Sequence, residues 1–310
     1  MSGVDADNAT VTQLVATLDE ALVVAAEFAD APVRALMDSE SPGSLLEQCL
    51  ALCRSDTSHV EPVRLLHQMA CTGGTLFSKC IAAMPNVQLL SEVDPLSRQL
   101  DSQVPRFCPT DIIVLLRQST RGASDEFIIR LFRDALATIH AETSRNGQRL
   151  VLRDHAHSQY FIGPSGAARP TLREIVAGGL PTLSIVFVRH PLDSYLSMKA
   201  NGWYAGGIDE YCRRYLEFLG DYGDVPMLRY EDFLEDPESR MREACNHLGL
   251  PYADHFRYTF DAHRLSGDSG RSGGDIAPRP RRSAPEPGLA DELTRSTNYA
   301  LLLQRLDYQP

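Results

Sequence analysis

LLHQMACTGGTLFSKC, residues 65–80, decides how the rest of the chain is read. An apolar run ends near Met69. Cys71-Thr72-Gly73-Gly74-Thr75 is a turn of small residues, and a helical pattern follows. Strand, small-residue turn and helix in that order form a phosphate cradle. Small residues let backbone N–H groups approach an anion, and the helix N-terminus adds a partial positive charge. The loop of nucleoside triphosphatases has a Lys directly after its last Gly, where this chain has Thr75. A magnesium-dependent triphosphate site is therefore disfavoured, and the source of positive charge has to be sought elsewhere.

Working outward, strands and helices alternate from residue 62. The segments VRLLHQM, VQLLSEV, RLVLRDH, LSIVFVRH and VPMLRYED read as five strands. Helices are expected over 75–84, over 125–143, from about Leu192, over 236–248 and over about 289–306. This order predicts an α/β fold, a parallel central sheet with helices on both faces. Ligands of such sheets bind at the carboxyl ends of the strands. Polar residues stand at those ends: Thr72, Arg153-Asp154-His155, Arg189 and Tyr230-Glu231. Residues 1–60 have a different texture, rich in Ala, Leu and Val at helical spacing, and are expected to form an N-terminal helical extension to a domain spanning 61–310. Packing or dimerisation is its expected role.

Composition limits the function. The net charge of −11 and a pI near 5.3 argue against nucleic acid or an anionic membrane as partner. Of 30 basic residues only Lys79 and Lys199 are lysines, so any anion is met largely by Arg, whose fork suits phosphate. Seven cysteines, an odd number without a Cys-x-x-Cys pair, suggest neither a disulfide framework nor a metal site. The acidic, polar start MSGVDADNAT does not read as a signal peptide, and the longest apolar run, near LSIVFV, is too short to span a bilayer. A reduced, cytoplasmic protein is expected.

The second informative stretch is VRHPLDSYLS, residues 188–197. Arg189 leaves a buried strand, Pro191 starts the next helix, and Ser197 lies two turns on, so Arg189 and Ser197 can reach a second phosphate. With these residues in hand, the chain resembles the sulfotransferases that use 3′-phosphoadenosine 5′-phosphosulfate (PAPS) and release 3′-phosphoadenosine 5′-phosphate (PAP). Their Arg-Pro-Asp-Ser signature is similar to Arg189, Pro191, Asp193 and Ser197. Their first signature is similar to Cys71-Thr72-Gly73-Gly74-Thr75, and their Lys-x-His strand end to Arg153-Asp154-His155.

The resemblance implies a P-loop-like sulfotransferase fold and metal-independent sulfuryl transfer. It further implies that Thr72, Gly73, Gly74 and Thr75 cradle the 5′-phosphosulfate, that Arg189 and Ser197 hold the 3′-phosphate, and that Tyr230 lies near the adenine. The Gly/Arg-rich stretch 266–282, with Arg271 and Arg281, stands in the place of a late phosphate-binding loop. His155 is the implied general base, with His157 competing, since residues two apart at a strand end share a face. Two positions depart from the pattern: Cys71 replaces the usual basic residue, and Leu76 an aromatic one. Arg153 is the candidate to supply the missing charge. The implied acceptor is a hydroxyl or amine of a small metabolite or saccharide; segments 94–124 and 158–180 carry no readable acceptor code, and the oligomeric state is not legible. Two other functions use the same frame: a non-catalytic nucleotide-binding homologue, and a small-molecule kinase, which would need a Lys and a magnesium-binding acid at the loop.

Overall fold

The structure is a computed structural model that describes residues 60–99, 108–161, 169–267, 276–278 and 287–309. Residues 1–59 of the expected N-terminal helical extension (1–60), and the loop residues Arg271 and Arg281, lie outside the described residues.

Five strands form one parallel sheet: β1 (Val63–Gln68), β2 (Val87–Val93), β3 (Arg149–Asp154), β4 (Thr182–Val188) and β5 (Met227–Arg229), in the order β2-β3-β1-β4-β5. The connections between them carry the helices α1 (Gly74–Ala82), α2 (Ile112–Arg117), α3 (Asp125–Arg145), α4 (His157–Tyr160), α5 (Leu172–Ala177), α6 (Pro191–Ala200) and α7 (Ile208–Asp221). After β5 come α8 (Tyr230–Glu235), α9 (Pro237–Leu248), α10 (Phe256–Thr259), α11 (Pro287–Arg295) and α12 (Thr297–Leu306).

Every residue of β1 is buried, as a central strand covered on both faces requires. On one face Leu66, Val151, Ile185 and Phe187 pack against Phe77 and Ile81 of α1, Phe233 of α8 and Met241 and Leu248 of α9. On the other, Val63, Leu65, Leu150 and Leu152 pack against Leu136 of α3 and Val176 of α5. Higher on that face, Val186 and Val188 meet the aromatic side of α7, with Tyr211, Tyr215 and Phe218, and Leu302 and Leu303 of α12. The predicted parallel sheet with helices on both faces is the observed one.

Two expected elements differ in extent. The strand expected over 225–232 has only three residues, and Tyr230 already begins α8. Glu231 and Asp232 in that first turn suit a helix N-terminus, and Asp232 accepts from Nε of Arg229 at 2.9 Å. The single helix expected over 289–306 is two. Ser296 separates them: its hydroxyl donates to Asp209 at 2.6 Å and accepts the Tyr299 amide at 3.0 Å, which caps α12.

One charged residue lies inside the apolar layers. Arg64, only 2% exposed, points from β1 to the end of α9. Its Nε donates to the Leu248 carbonyl at 2.9 Å, Nη1 to Pro62 at 2.7 Å, and Nη2 to the Glu61 carboxylate at 2.5 Å. It thereby satisfies carbonyls that a helix end leaves without partners. Arg64→Ala should lower the unfolding free energy by about 3 kcal/mol, since buried carbonyls lose charged donors. Arg64→Lys should recover only part, because one ammonium cannot reach both ends of the fork. Chemical denaturation of the two variants checks this ordering.

Candidate active site

The carboxyl ends of β3, β1 and β4 lie side by side, and each delivers part of one site. β1 delivers the turn. Cys71 and Gly73 both adopt left-handed backbone, with φ of 64° and 87°, which turns the chain sharply into α1. Gly73 is the N-cap of α1, so the first amides of that helix face outward without intrahelical acceptors. Thr72 is fully buried, and its hydroxyl donates to the Met69 carbonyl at 2.8 Å. It braces the turn, and anything it offers a ligand comes from its backbone.

β3 delivers Arg153, which is 6% exposed. Its Nη2 donates to Thr75 Oγ1 at 3.1 Å, its Nη1 to Ser91 Oγ at 3.1 Å, and Nη2 also meets Glu92 Oε1 at 2.9 Å. With the Gln68 amide oriented to satisfy its surroundings, the Gln68 oxygen accepts from Nε at 2.5 Å and Nη2 at 2.9 Å. The guanidinium thus sits against the turn that lacks a basic residue at Cys71. Lys79 points instead to Asp261, 3.7 Å away.

β4 delivers Arg189. Its Nη1 donates to the Cys71 carbonyl at 3.2 Å, Nη2 lies 3.9 Å from Asp193, and the guanidinium stacks 4.8 Å over the Tyr230 ring. Its Nε is buried without a hydrogen-bond partner, and a charged N–H left so is costly unless a ligand completes it. Ser197 is buried on α6. Tyr230, also buried, packs against Gly73 and edge-on to Phe187.

His155 and His157 meet, though not by strand alternation. β3 ends at Asp154 and α4 starts at His157, so a tight turn brings the rings together in a T-shape with centroids 3.8 Å apart. Burial, with the neighbouring His155 and Arg153, drives the pKa of His157 down to about 3, so this ring stays neutral near pH 7. His155 faces Glu92, with Nε2 3.4 Å from Oε2.

Glu92 is the residue the sequence reading missed. It lies at a β-bulge, where the register with β3 shifts between Leu90 and Val93, and has a φ of 62°. Bulges re-aim a side chain, and this one turns the carboxylate toward both Arg153 and His155. The signal was present: Ser91-Glu92 is the polar end of VQLLSEV and follows the same rule as the other strand ends. Asp94 was missed as well. It accepts both Nη atoms of Arg169 at 3.0 and 2.8 Å and the Ser158 hydroxyl, which ties α4 to the end of β2. Below the site, Asp154 accepts from Nδ1 of His67 at 2.7 Å and from the Tyr222 hydroxyl at 3.0 Å. His67 is fully buried, so this network anchors the end of β3 from inside.

Sequence spacing indicates no metal cluster, and here the fold adds something. Among the described residues, donor atoms of Glu92, His155 and His157 lie within 4.8 Å of one another. Ligand spacing along the chain could not show this, because adjacency of β2 and β3 brings the groups together.

No protein-family model matches the chain, and no curated protein does. The chain is similar to several solved structures. The sulfotransferase domain from the curacin biosynthetic pathway is 16% identical, covering 81% of this chain and 99% of its own, with a TM-score of 0.45. A sulfotransferase from Alicyclobacillus acidocaldarius is 16% identical over 81% of this chain and 98% of its own, with a TM-score of 0.40. Mouse sulfotransferase SULT7A1, complexed with PAP, is 15% identical over 84% of this chain and 94% of its own, with a TM-score of 0.38. No described helix is long and apolar enough to cross a membrane.

The two glycines of the turn should respond differently to a methyl group. A Cβ on Gly73 would lie 2.3 Å from two carbons of the buried Tyr230 ring, on left-handed backbone. A Cβ on Gly74 would lie 1.6 Å from the amide end of the Gln68 side chain, which can shift. Gly73→Ala should therefore be the more destabilising, with about 1–2 kcal/mol from the backbone alone. Gly74→Ala should cost less in stability and instead detach Gln68 from Arg153. Chemical denaturation measures the difference, and the reverse order would refute this account of the turn.

Proposed function

We propose that the chain is a PAPS-dependent sulfotransferase, with residues 61–310 as the transferase unit. The observation that carries this reading is the pair of guanidiniums at the ends of β3 and β4, flanking the open helix N-terminus that follows β1. Such a frame suits one ligand with two separated anionic groups. The orphaned Nε of Arg189 and the outward amides of α1 fit such a ligand.

The donor supplies a sulfuryl group already bonded to a good leaving phosphate. The amides from Gly73 onward hold the 5′ end, with Thr75 positioned by Arg153. Arg189 and Ser197 hold the 3′-phosphate, and Asp193 and Tyr230 keep Arg189 directed. Arg153 meets the charge that develops on the bridging oxygen, as a preorganised cation does. His155 takes the proton from the acceptor hydroxyl or amine. With Nε2 held against Glu92, Nδ1 is the nitrogen that receives it. The acceptor atom gains the sulfuryl group, and the electron pair of the broken bond stays on the phosphate. His157 is the poorer base because its pKa is held at about 3, far below the near-neutral value that suits a general base. The acceptor is a small metabolite or saccharide.

A kinase reading calls for a Lys after the loop glycines, where Thr75 stands, and for magnesium-dependent binding of a triphosphate. Thermal shift separates the two: PAP should stabilise the protein with or without a chelator, by mass action, and stabilisation only by a magnesium–triphosphate complex would favour the kinase. Transfer from labelled PAPS into a metabolite or saccharide library then separates an enzyme from a binding homologue.

Arg189→Ala should weaken PAP binding about ten- to a hundredfold, the worth of a charged contact, and should scarcely affect the analogue lacking the 3′-phosphate. Equal losses for both would make Arg189 structural. His155→Ala should lower kcat by about 10²–10⁴ while PAP affinity holds. If His157→Ala has that signature and His155→Ala does not, the roles of the two rings are exchanged.

A further inference from the structure

We propose that Glu92, His155 and His157 form a binding site for a borderline divalent cation, with Zn²⁺ as the reference ion, and that its occupation switches the transferase off. Binding stands on geometry alone; only the inhibition rests on the function proposed above.

The spacing is the first argument. Nitrogen and oxygen ligands stand about 2.0–2.2 Å from zinc, so two of them at a tetrahedral ion are about 3.3 Å apart. His155 Nε2 and Glu92 Oε2 are 3.4 Å apart, long for a hydrogen bond and close to that tetrahedral edge. One ligand atom from each of Glu92, His155 and His157 lies within 4.8 Å of the others.

The donors are the second argument. Two imidazoles and one carboxylate favour zinc, copper, nickel or cobalt over magnesium or calcium. Three protein ligands leave a fourth position for water or an anion. Glu92 offers a single oxygen, since Oε1 is taken by Arg153 at 2.9 Å. All three ligands are mounted before any ion arrives: Glu92 on its bulge, His155 on the turn after β3, and His157 on α4, which Ser158 ties to Asp94. Arg153 opposes a dication electrostatically. The guanidinium is directed to Thr75, Ser91 and Gln68 as well as to Glu92, so Oε2 remains turned toward the imidazoles.

The consequence follows from which nitrogen is taken. An ion on His155 Nε2 leaves the neutral ring's proton on Nδ1, the nitrogen that must receive the acceptor proton, so the base is blocked. The nucleotide frame of α1 and Arg189 is left alone. Zinc should therefore suppress turnover without displacing PAP, and a chelator should restore it.

The experiment uses the full chain without nucleotide. Calorimetric titration with Zn²⁺ should give one equivalent per chain, and Co²⁺ should give the visible d–d bands of a low-coordinate nitrogen–oxygen site. Glu92→Gln, His155→Ala and His157→Ala should each weaken binding about a hundredfold or more, since even supporting residues around a metal cost 10–100-fold. The unsubstituted protein gives an independent reading if a variant fails to fold: Zn²⁺ should protect His155 and His157 from diethylpyrocarbonate, mapped by mass spectrometry. Absence of Co²⁺ bands, a thiolate charge-transfer band, or unprotected histidines would overturn the site. Activation by Zn²⁺, or zinc bound with turnover unchanged, would overturn the switch. Metal bound to a chain that neither binds PAP nor transfers from PAPS would leave the site standing and remove the function; transfer without metal binding would do the opposite.

Discussion

The guanidinium of Arg153 is the interaction on which the candidate site depends. From the end of β3 it bonds Gln68 of β1, Thr75 of α1, and Ser91 and Glu92 of β2. Neighbouring strand ends are thereby fixed relative to one another by one planar group whose donors are set in a rigid fork. A lysine at this position would keep the charge and lose the brace. The surrounding acceptors are each supported in turn: Gln68 lies across Gly74, where no side chain fits without moving it, and Glu92 is held in a backbone conformation that few non-glycine residues adopt.

The left-handed residues at 71, 73 and 92 belong to the same design. Each turns the chain at or near a strand end; Gly73 does so without steric cost, whereas at Cys71 and Glu92 the left-handed backbone is strained and persists only where packing over-determines it. Tyr230 against Gly73 and Ser266 against Ser91, with reciprocal hydrogen bonds at 2.9 and 2.6 Å, are the packing that does so here.

Much of this was legible in the sequence. Apolar runs bounded by Pro, Gly and polar residues located all five strands; the signal is clearest for β4, because a parallel strand covered on both faces is apolar nearly throughout, and the edge strands β2 and β5 are less buried. Polar residues at their ends pointed to one edge of the sheet. Where the reading failed, the cause was local. YED was taken as a continuation of β5, but acidic residues there suit a helix N-terminus. Ser296 interrupts an apolar periodicity that otherwise looks continuous. Glu92 was hidden by a bulge, since alternation assigns faces only while the register holds. The contact of His155 with His157 was expected from strand geometry and arises from a turn instead. Arg64 carries no motif at all; its role depends on a helix end that is remote in sequence.

The order of the sheet also bears on how the chain reaches this state. β1 is central, yet both of its partners, β3 and β4, come much later in the chain. During synthesis Val63–Gln68 emerges well before anything it can pair with, bearing the apolar Val63, Leu65 and Leu66 and a charged Arg64 whose acceptors at Leu248 and Gly249 arrive later still. Closing such distant contacts costs chain entropy before any pairing compensates it. The nascent chain therefore passes through a period in which its eventual central strand is unpaired, and the turn at residues 71–75 cannot make its contacts with Arg153, Arg189 and Tyr230 until those residues have been made.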